Sequence, residues 1–140
     1  WRDLALAGRI IAVISGPPCE TWSSARWMPM CSHHRALRPP RALRHRETPW
    51  GRRNLSARER AQLRLANCLM RVSLHFAYLS IATGFSIVQE HPAEAHWLLC
   101  AASSWRLPQV EALLAFPHAQ LVTLDQCMFG DRARKPTTLL

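Results

Sequence analysis

The hydrophobic positions of this chain fall into short β-branched runs, separated by longer segments of mixed polarity. Three runs that end at polar or turn-forming residues predict strands over residues 10–15, 85–89 and 121–124. A fourth strand is predicted from Thr137 to the last residue, Leu140. The first run has five apolar residues in succession, which predicts a strand buried on both faces, as in a parallel sheet.

A helix is predicted between the first and second of these runs. Ser56 and Glu59 have the spacing of a capping box, and Gly84 is a suitable residue to end the helix that follows. Large apolar residues repeat along this helix at spacings of three and four, so that they line one face: Leu65, Leu69, Val72, Phe76 and Leu79. Three arginines lie on another face: Arg60, Arg64 and Arg71.

Two shorter helices are predicted after the second strand. One covers residues 93–104, with Trp97, Leu98 and Ala101 facing inward, and the other begins at Pro108 and ends near residue 116. Strands that alternate with helices predict an α/β layered fold with a mainly parallel sheet of about four strands. A length of 140 residues allows one domain.

Residues 16–55 show little periodicity and are rich in proline and arginine. They predict one long loop, with a short helix after Ser23. Because structureless loops of this length are uncommon in compact domains and are usually functional, the loop is a candidate for binding or catalysis. Residues 1–9 are expected to be the end of a helix or a loop.

The chain is strongly basic. Eighteen lysines and arginines stand against nine acidic residues, which gives a net charge of +9. Such a charge indicates a polyanionic partner, most simply nucleic acid. No signal peptide opens the sequence, and its longest uncharged segment, residues 72–88, is too short and too polar to predict a membrane span. We therefore expect no membrane partner and an intracellular protein, nuclear if its source is eukaryotic.

The five cysteines form no Cys-x-x-Cys pair, which argues against a disulfide framework. Cys31, His33 and His34 have the composition of half a zinc site and leave a zinc-dependent interaction module open as a function class. A structural zinc ion requires four ligands, and the sequence offers no matching second pair, so no metal is expected.

The most informative stretch follows the first predicted strand and has the sequence Gly-Pro-Pro-Cys-Glu-Thr-Trp-Ser, residues 16–23. Gly16 permits a sharp exit from the strand, and the two prolines fix the backbone after it. The pattern therefore predicts that Cys19 is held on a rigid loop at the carboxyl end of a strand. Open α/β sheets bind their ligands at this edge.

This stretch resembles the Pro-Pro-Cys motif of the DNA (cytosine-5) methyltransferases, with Glu20 and Trp22 where that family carries Gln and Phe. Two later stretches are similar to family segments in the same order. Residues 89–92, Gln-Glu-His-Pro, stand where the family has Glu-Asn-Val or Glu-Asn-Pro, and residues 129–135 resemble its Tyr-Gly segment followed by Gln-x-Arg-x-Arg. The particular variant is most similar to methyltransferase-like segments of mobile-element polyproteins.

The resemblance implies a truncated Rossmann-like fold and methyl transfer from S-adenosylmethionine to C5 of cytosine. It implies that Cys19 adds to C6 of the base and that Glu90 donates a proton to N3, with Arg132 and Arg134 supporting the site. It implies a nucleic-acid partner, DNA rather than RNA. The residues expected to bind this substrate are Pro17, Pro18, Trp22, Ser23, Arg26 and Lys135.

The family binds its cofactor through a Gly-rich turn after its first strand and an acidic residue after its second. Residues 1–9 contain nothing of that form. We therefore expect residues 1–140 to be a single, incomplete domain, the catalytic half of a methyltransferase, inactive as this fragment. The alternative function is a non-catalytic, basic nucleic-acid-binding module of a mobile-element protein.

Overall fold

The structure, a computed structural model, describes residues 1–28, 40–130, 132 and 134–140. Helices and strands alternate along the chain as far as the last two strands, which follow one another. In order they are α1 (Arg2–Leu6), β1 (Ala12–Ser15), α2 (Ala57–Thr83), β2 (Ser86–Pro92), α3 (Pro108–Leu114), β3 (Val122–Asp125) and β4 (Pro136–Leu139). Single turns of 3₁₀-helix cover Ser24–Trp27, Ser104–Arg106 and Gln126–Phe129. The α/β class predicted from the sequence is confirmed.

The four strands form one open sheet in the order β1-β2-β4-β3. β1 and β2 are parallel, with Ser15 opposite Gln89, whereas β4 runs antiparallel to both β2 and β3. The expected mainly parallel sheet is therefore wrong, and the sheet is mixed. The physical reason is the short connection over residues 126–135, which suits an antiparallel pair better than a parallel crossover with its dozen or more residues.

Three strands nevertheless run in the same direction, because β3 and β2 are both antiparallel to β4. The carboxyl ends of β1, β2 and β3 and the start of β4 therefore lie at one edge of the sheet. We call this the carboxyl edge.

The predicted caps of α2 are present. The Ser56 hydroxyl accepts from the backbone N–H of Glu59 at 3.3 Å, and the Glu59 carboxylate accepts from the backbone N–H of Ser56 at 2.7 Å. At the other end Gly84 takes the left-handed conformation, with φ of 81°. These short-range signals are confirmed because they depend only on residues within one turn of the helix end.

The face that α2 buries differs from the predicted one. Leu65, Leu69 and Val72 are exposed, Leu65 by 60%. The helix instead buries a face with several small residues: Leu63, Ala66, Met70, Ser73, Leu74 and Ala77. Ser73 bonds to Ser15 of β1 at 2.7 Å and donates to Gln89 of β2. The small face brings α2 close enough to the sheet for these buried polar contacts.

The main core lies between the sheet and its helices, on one side only. It joins residues of α2 and α3 to Trp22 and to the segment before α3, and its buried members are Trp22, Met70, Leu74, Ala77, Ala102, Trp105, Leu107, Val110 and Leu113. On the other face of the sheet Ile14, Val88 and Val122 are exposed, Ile14 by 88%. The prediction that the first strand is buried on both faces is therefore wrong, because β1 is an edge strand with a helix over one side.

The segment 93–104 forms turns rather than the predicted helix, and Trp97 is 65% exposed. Local contacts of its polar residues compete with helix formation. Glu94 accepts from Arg106 at 2.7 Å, and the Ser103 hydroxyl accepts from the N–H of Trp105 at 3.2 Å. The helix that begins at Pro108 and the short helix after Ser23 are both confirmed.

Within the described residues, α2 is the one helix that is long and apolar enough to cross a membrane by length and composition alone. Here its small face packs against the sheet, as the core helix of a folded domain does.

Candidate functional site

The loop that carries Cys19 and the carboxylate of Glu90 meet at the carboxyl edge. Ser15 lies opposite Gln89, so the next residues along the two parallel strands, Gly16 and Glu90, are neighbours. A Cβ atom added to Gly16 would lie 3.7 Å from Glu90 Oε2. Glu90 is therefore packed against the first residue of the loop.

The loop turns tightly after its two prolines. The carbonyl oxygen of Cys19 accepts from the backbone N–H groups of Trp22 at 2.8 Å and Ser23 at 2.9 Å. The Ser23 hydroxyl in turn caps the 3₁₀-helix by accepting from the N–H of Ala25 at 3.2 Å. Pro17 is buried, whereas Cys19 is half-exposed. Cys19 is thus held on a hydrogen-bonded turn and is partly exposed.

Glu90 is half-buried and its Oε1 atom is enclosed. Oε1 lies 3.7 Å from Lys135 Nζ, which is an ion pair beyond hydrogen-bonding distance. Among the described residues Oε1 has no hydrogen-bond partner. Buried carboxylate oxygens are normally paired, so this atom is a candidate contact for a ligand.

Lys135 is the basic residue that approaches Glu90. The prediction that Arg134 supports the site does not fit its position, because its guanidinium pairs with Asp125 at 2.9 Å and is largely exposed. Arg132 is exposed as well. The chain between the 3₁₀-helical turn Gln126–Phe129 and β4 is short, so the direction of β4 determines which basic side chain reaches Glu90.

His91, the residue after Glu90, faces the opposite side of the sheet. It is buried, shares a hydrogen bond of 2.6 Å between Nδ1 and Ser104 Oγ, and contacts the rings of Trp22 and Trp105 edge-on. Burial lowers the pKa of His91 to about 3, with the charge of Arg44 acting in the same direction. The backbone carbonyl of Pro18 acts against this lowering of the pKa of His91. The Nε2 atom of His91 nevertheless makes no hydrogen bond of normal geometry to any described residue. His91 is therefore a neutral packing residue that supports the Cys19 loop.

Trp22, which was predicted to bind nucleic acid, is only 5% exposed, so its ring is not available to stack on a base in this position. Its ring packs edge-on against Trp50, with centroids 6.1 Å apart, and the Arg44 guanidinium lies 3.8 Å from its centroid. The large ring fills the space between the loop and α2. Trp22 thus anchors the loop in the core.

Arg26 also has a structural position. It donates to the backbone carbonyls of Glu20 at 2.6 Å and Arg41 at 3.0 Å, and to Gln62 Oε1 at 3.3 Å. Gln62 donates in turn to the Glu20 carboxylate at 2.8 Å. These bonds tie the loop to α2, so the donors predicted to bind nucleic acid are already used.

The structure therefore divides the predicted site residues into two groups. Those at the carboxyl edge are Pro17, Pro18, Cys19, Glu90 and Lys135. Trp22, Ser23 and Arg26 build the scaffold, and Arg132 and Arg134 are exposed at the surface.

Arg44 is the residue that the sequence analysis missed. It is 2% exposed, and its guanidinium donates to Thr21 Oγ1, the Pro49 carbonyl and Asn67 Oδ1 at 2.7 to 3.0 Å. Burial lowers its pKa to about 9, with Arg26 contributing, so the group is charged at neutral pH. No signal distinguished this arginine from the others in the loop.

The residues proposed for zinc, Cys31, His33 and His34, lie outside the described residues. Within residues 1–28, 40–130, 132 and 134–140, no cluster of three or more His, Cys, Asp or Glu side chains could hold a metal ion. Comparisons of the chain with protein-family models, with curated proteins and with solved structures find no match.

Proposed function

We propose that the carboxyl edge acts on a cytosine base of nucleic acid, in the manner of the cytosine-5 methyltransferases that the sequence resembles, on a truncated Rossmann-like scaffold. The observation that carries this proposal is the position of Glu90: its Oε2 atom faces Gly16 at the start of the Cys19 loop, and its Oε1 atom has no hydrogen-bond partner among the described residues. A nucleophile and a proton donor must both reach one base, and here the loop after β1 and the adjacent strand β2 supply them.

The chemistry assigned to this chain is reversible addition. The Cys19 thiolate forms a bond to C6 of the ring, and the electron pair of the C5–C6 double bond moves toward N3. Glu90 donates its proton to N3, which leaves a neutral enamine with a nucleophilic C5. Return of the proton to Glu90 and loss of the thiolate regenerate cytosine.

The described residues do not fit the S-adenosylmethionine site that the resemblance implies. Residues 2–6 form α1, and in the described residues no Gly-rich turn follows a strand, since Gly16 leads directly into two prolines. We therefore assign no methyl-transfer step to these residues. A target base in a duplex must leave its stack to reach Cys19, and the exposed side chains of Arg132 and Lys135 offer positive charge for its phosphates.

A non-catalytic nucleic-acid-binding module is the second candidate, as expected for a mobile-element protein that retains the scaffold. It is favoured by exposed arginines of α2 that pair with no carboxylate in the described part of the chain, among them Arg64 and Arg71. Both candidates predict nucleic-acid binding, but only the first predicts covalent chemistry at Cys19.

The test is a covalent adduct with an oligonucleotide in which one cytosine is replaced by 2-pyrimidinone, whose C6 is open to thiolate addition without a methyl donor. We expect an adduct on Cys19, located by peptide mass spectrometry, that is absent in Cys19→Ser and reduced at least tenfold in Glu90→Gln. Cys127→Ser is the matched control, because Cys127 is an exposed thiol outside the Cys19 loop, and it should leave the adduct unchanged. Binding of the oligonucleotide without an adduct would contradict the proposal and favour the non-catalytic module.

A further inference from the structure

α2 carries a groove that the proposed chemistry does not use. It is shallow, has a volume of about 400 Å³, and is lined by Arg64, Asn67, Cys68, Arg71, Val72 and His75. Residues 64, 68, 71 and 75 follow one another at spacings of four and three, so they form a continuous stripe along the helix. Arg64, Cys68, Arg71 and His75 are all exposed.

The charge of this groove is not balanced. From Arg60 to Thr83 the helix contains three arginines and no acidic residue. The ion pairs of the described residues involve other basic groups, and none includes Arg64 or Arg71. Arg71 is held in place by the ring of Trp50, with its guanidinium 4.9 Å from the ring centroid.

A third positive charge, that of Arg44, lies beneath the groove. Asn67 accepts from the buried guanidinium of Arg44 at 2.7 Å and donates to the carbonyl of Trp50 at 2.8 Å. The described partners of Arg44 are neutral: a hydroxyl, a carbonyl and this amide. Because charges interact more strongly where protein excludes water, Arg44 adds to the positive potential at the groove.

We propose that this groove binds phosphate groups, presented by the backbone of a nucleic acid. Arginine matches the geometry of phosphate oxygens, and two arginines seven residues apart are separated by about 10.5 Å along the helix axis. At about 3.4 Å per nucleotide, that distance spans roughly three nucleotides of one strand. A repeated anion therefore meets both arginines, whereas one small anion does not. That the phosphate belongs to a nucleic acid rests on the proposed function, whereas the binding of phosphate by the groove does not.

The exposed thiol of Cys68 reports on occupancy, because it lies between Arg64 and Arg71 in the stripe. The experiment measures the rate of Cys68 alkylation by N-ethylmaleimide, with peptide mass spectrometry, in the full chain with and without a 12-nucleotide single-stranded DNA. We expect saturating DNA to slow the alkylation at least fivefold, and the double variant Arg64→Gln, Arg71→Gln to lose this protection. Arg58→Gln, the same change on another face of α2, should retain it.

Two further arms complete the test. Arg71→Lys keeps the charge and should retain most of the protection, which separates phosphate binding from a loss of folding in the double variant. Inorganic phosphate is tested in place of DNA. If it protects Cys68 only at a phosphate concentration far above that of the DNA phosphates, the ligand is the nucleic-acid backbone. If it protects Cys68 at the same phosphate concentration, the ligand is free phosphate. Three results would overturn the proposal. DNA could fail to protect Cys68, the protection could persist in the double variant, or polyglutamate could protect Cys68 as well as DNA does.

The outcomes separate this inference from the proposed function. Protection of Cys68 without an adduct on Cys19 would contradict only the catalytic proposal. An adduct on Cys19 without protection of Cys68 would contradict only the phosphate groove.

Discussion

The two faces of the sheet differ more than their sequences suggest. On the face covered by α2, Gln89 and His91 are enclosed and make side-chain hydrogen bonds. On the open face Ile14 and Val88, which are apolar and lie opposite each other, are exposed. The same strands therefore bury polar side chains and expose apolar ones, because burial depends on which face the helices cover.

Glu90 and His91 show what this difference means for function. Side chains alternate along a strand, so Glu90 lies on the open face with Val88, and His91 lies on the covered face with Gln89. His91 is held in the core between two tryptophans, whereas Glu90 keeps an oxygen with no hydrogen-bond partner among the described residues. The covered face supplies rigidity, and the open face supplies the candidate chemistry.

The largest effect should follow from truncating a residue that covers the sheet. Leu74→Ala removes a buried side chain of α2, and we expect the free energy of unfolding to fall by roughly 3 kcal/mol. Leu65→Ala, the same change on the exposed side of this helix, should stay within about 0.5 kcal/mol of the wild type. Urea unfolding measures both. Equal losses would mean that the leucine stripe of α2 is also covered, which would contradict the finding that the helix buries only its smaller face against the sheet.

A smaller effect should appear as a pH dependence of stability. Because the pKa of His91 is about 3 in the folded chain and near 6.5 when unfolded, the unfolded chain alone binds this proton between those values. Stability should therefore fall as the pH drops below about 6.5, by up to about 1.4 kcal/mol per pH unit.

Unfolding is measured between pH 7 and pH 5, because Glu59, whose pKa the Arg41 hydrogen bond lowers to about 2, contributes only at lower pH. His91→Asn should be less stable at pH 7 but should lose this slope, whereas His96→Asn, at an exposed site, should keep it. A slope that survives in His91→Asn would show that the imidazole is not buried in its neutral form.

The smallest effect on stability should come from the open face. Ile14→Lys should change the free energy of unfolding by less than about 0.5 kcal/mol, because the side chain is exposed. It should reduce concentration-dependent self-association, since a charge on an exposed edge strand discourages pairing with other chains. Sedimentation over a range of concentrations tests this, with Ile14→Val as the uncharged control. A loss above 1 kcal/mol would show that β1 is covered after all.

Sequence patterns predicted the features that depend on neighbouring residues. The capping box at Ser56, the left-handed Gly84 and the start of α3 at Pro108 all follow from local rules. The end of the second strand does not, because pairing with β4 extends β2 past Gln89 to Pro92 and places Glu90 within the strand. The buried face of α2 does not follow from local rules. The largest apolar residues form one stripe along the helix, whereas the smaller face, which carries Ser73, packs against the sheet. The role of Arg44 depends on contacts with Thr21 and Asn67, which the sequence separates by 23 residues in each direction.

The most direct test of the central claim uses ordinary cytosine and no methyl donor. If Cys19 adds reversibly to C6, the enamine exchanges its C5 hydrogen with solvent before the thiolate leaves. We expect a cytosine-containing oligonucleotide in deuterium oxide to gain deuterium at C5 with the wild-type chain, more slowly with Glu90→Gln, and not above background with Cys19→Ser. Exchange that persists in Cys19→Ser, or no exchange with the wild-type chain while the oligonucleotide is bound, would contradict the account.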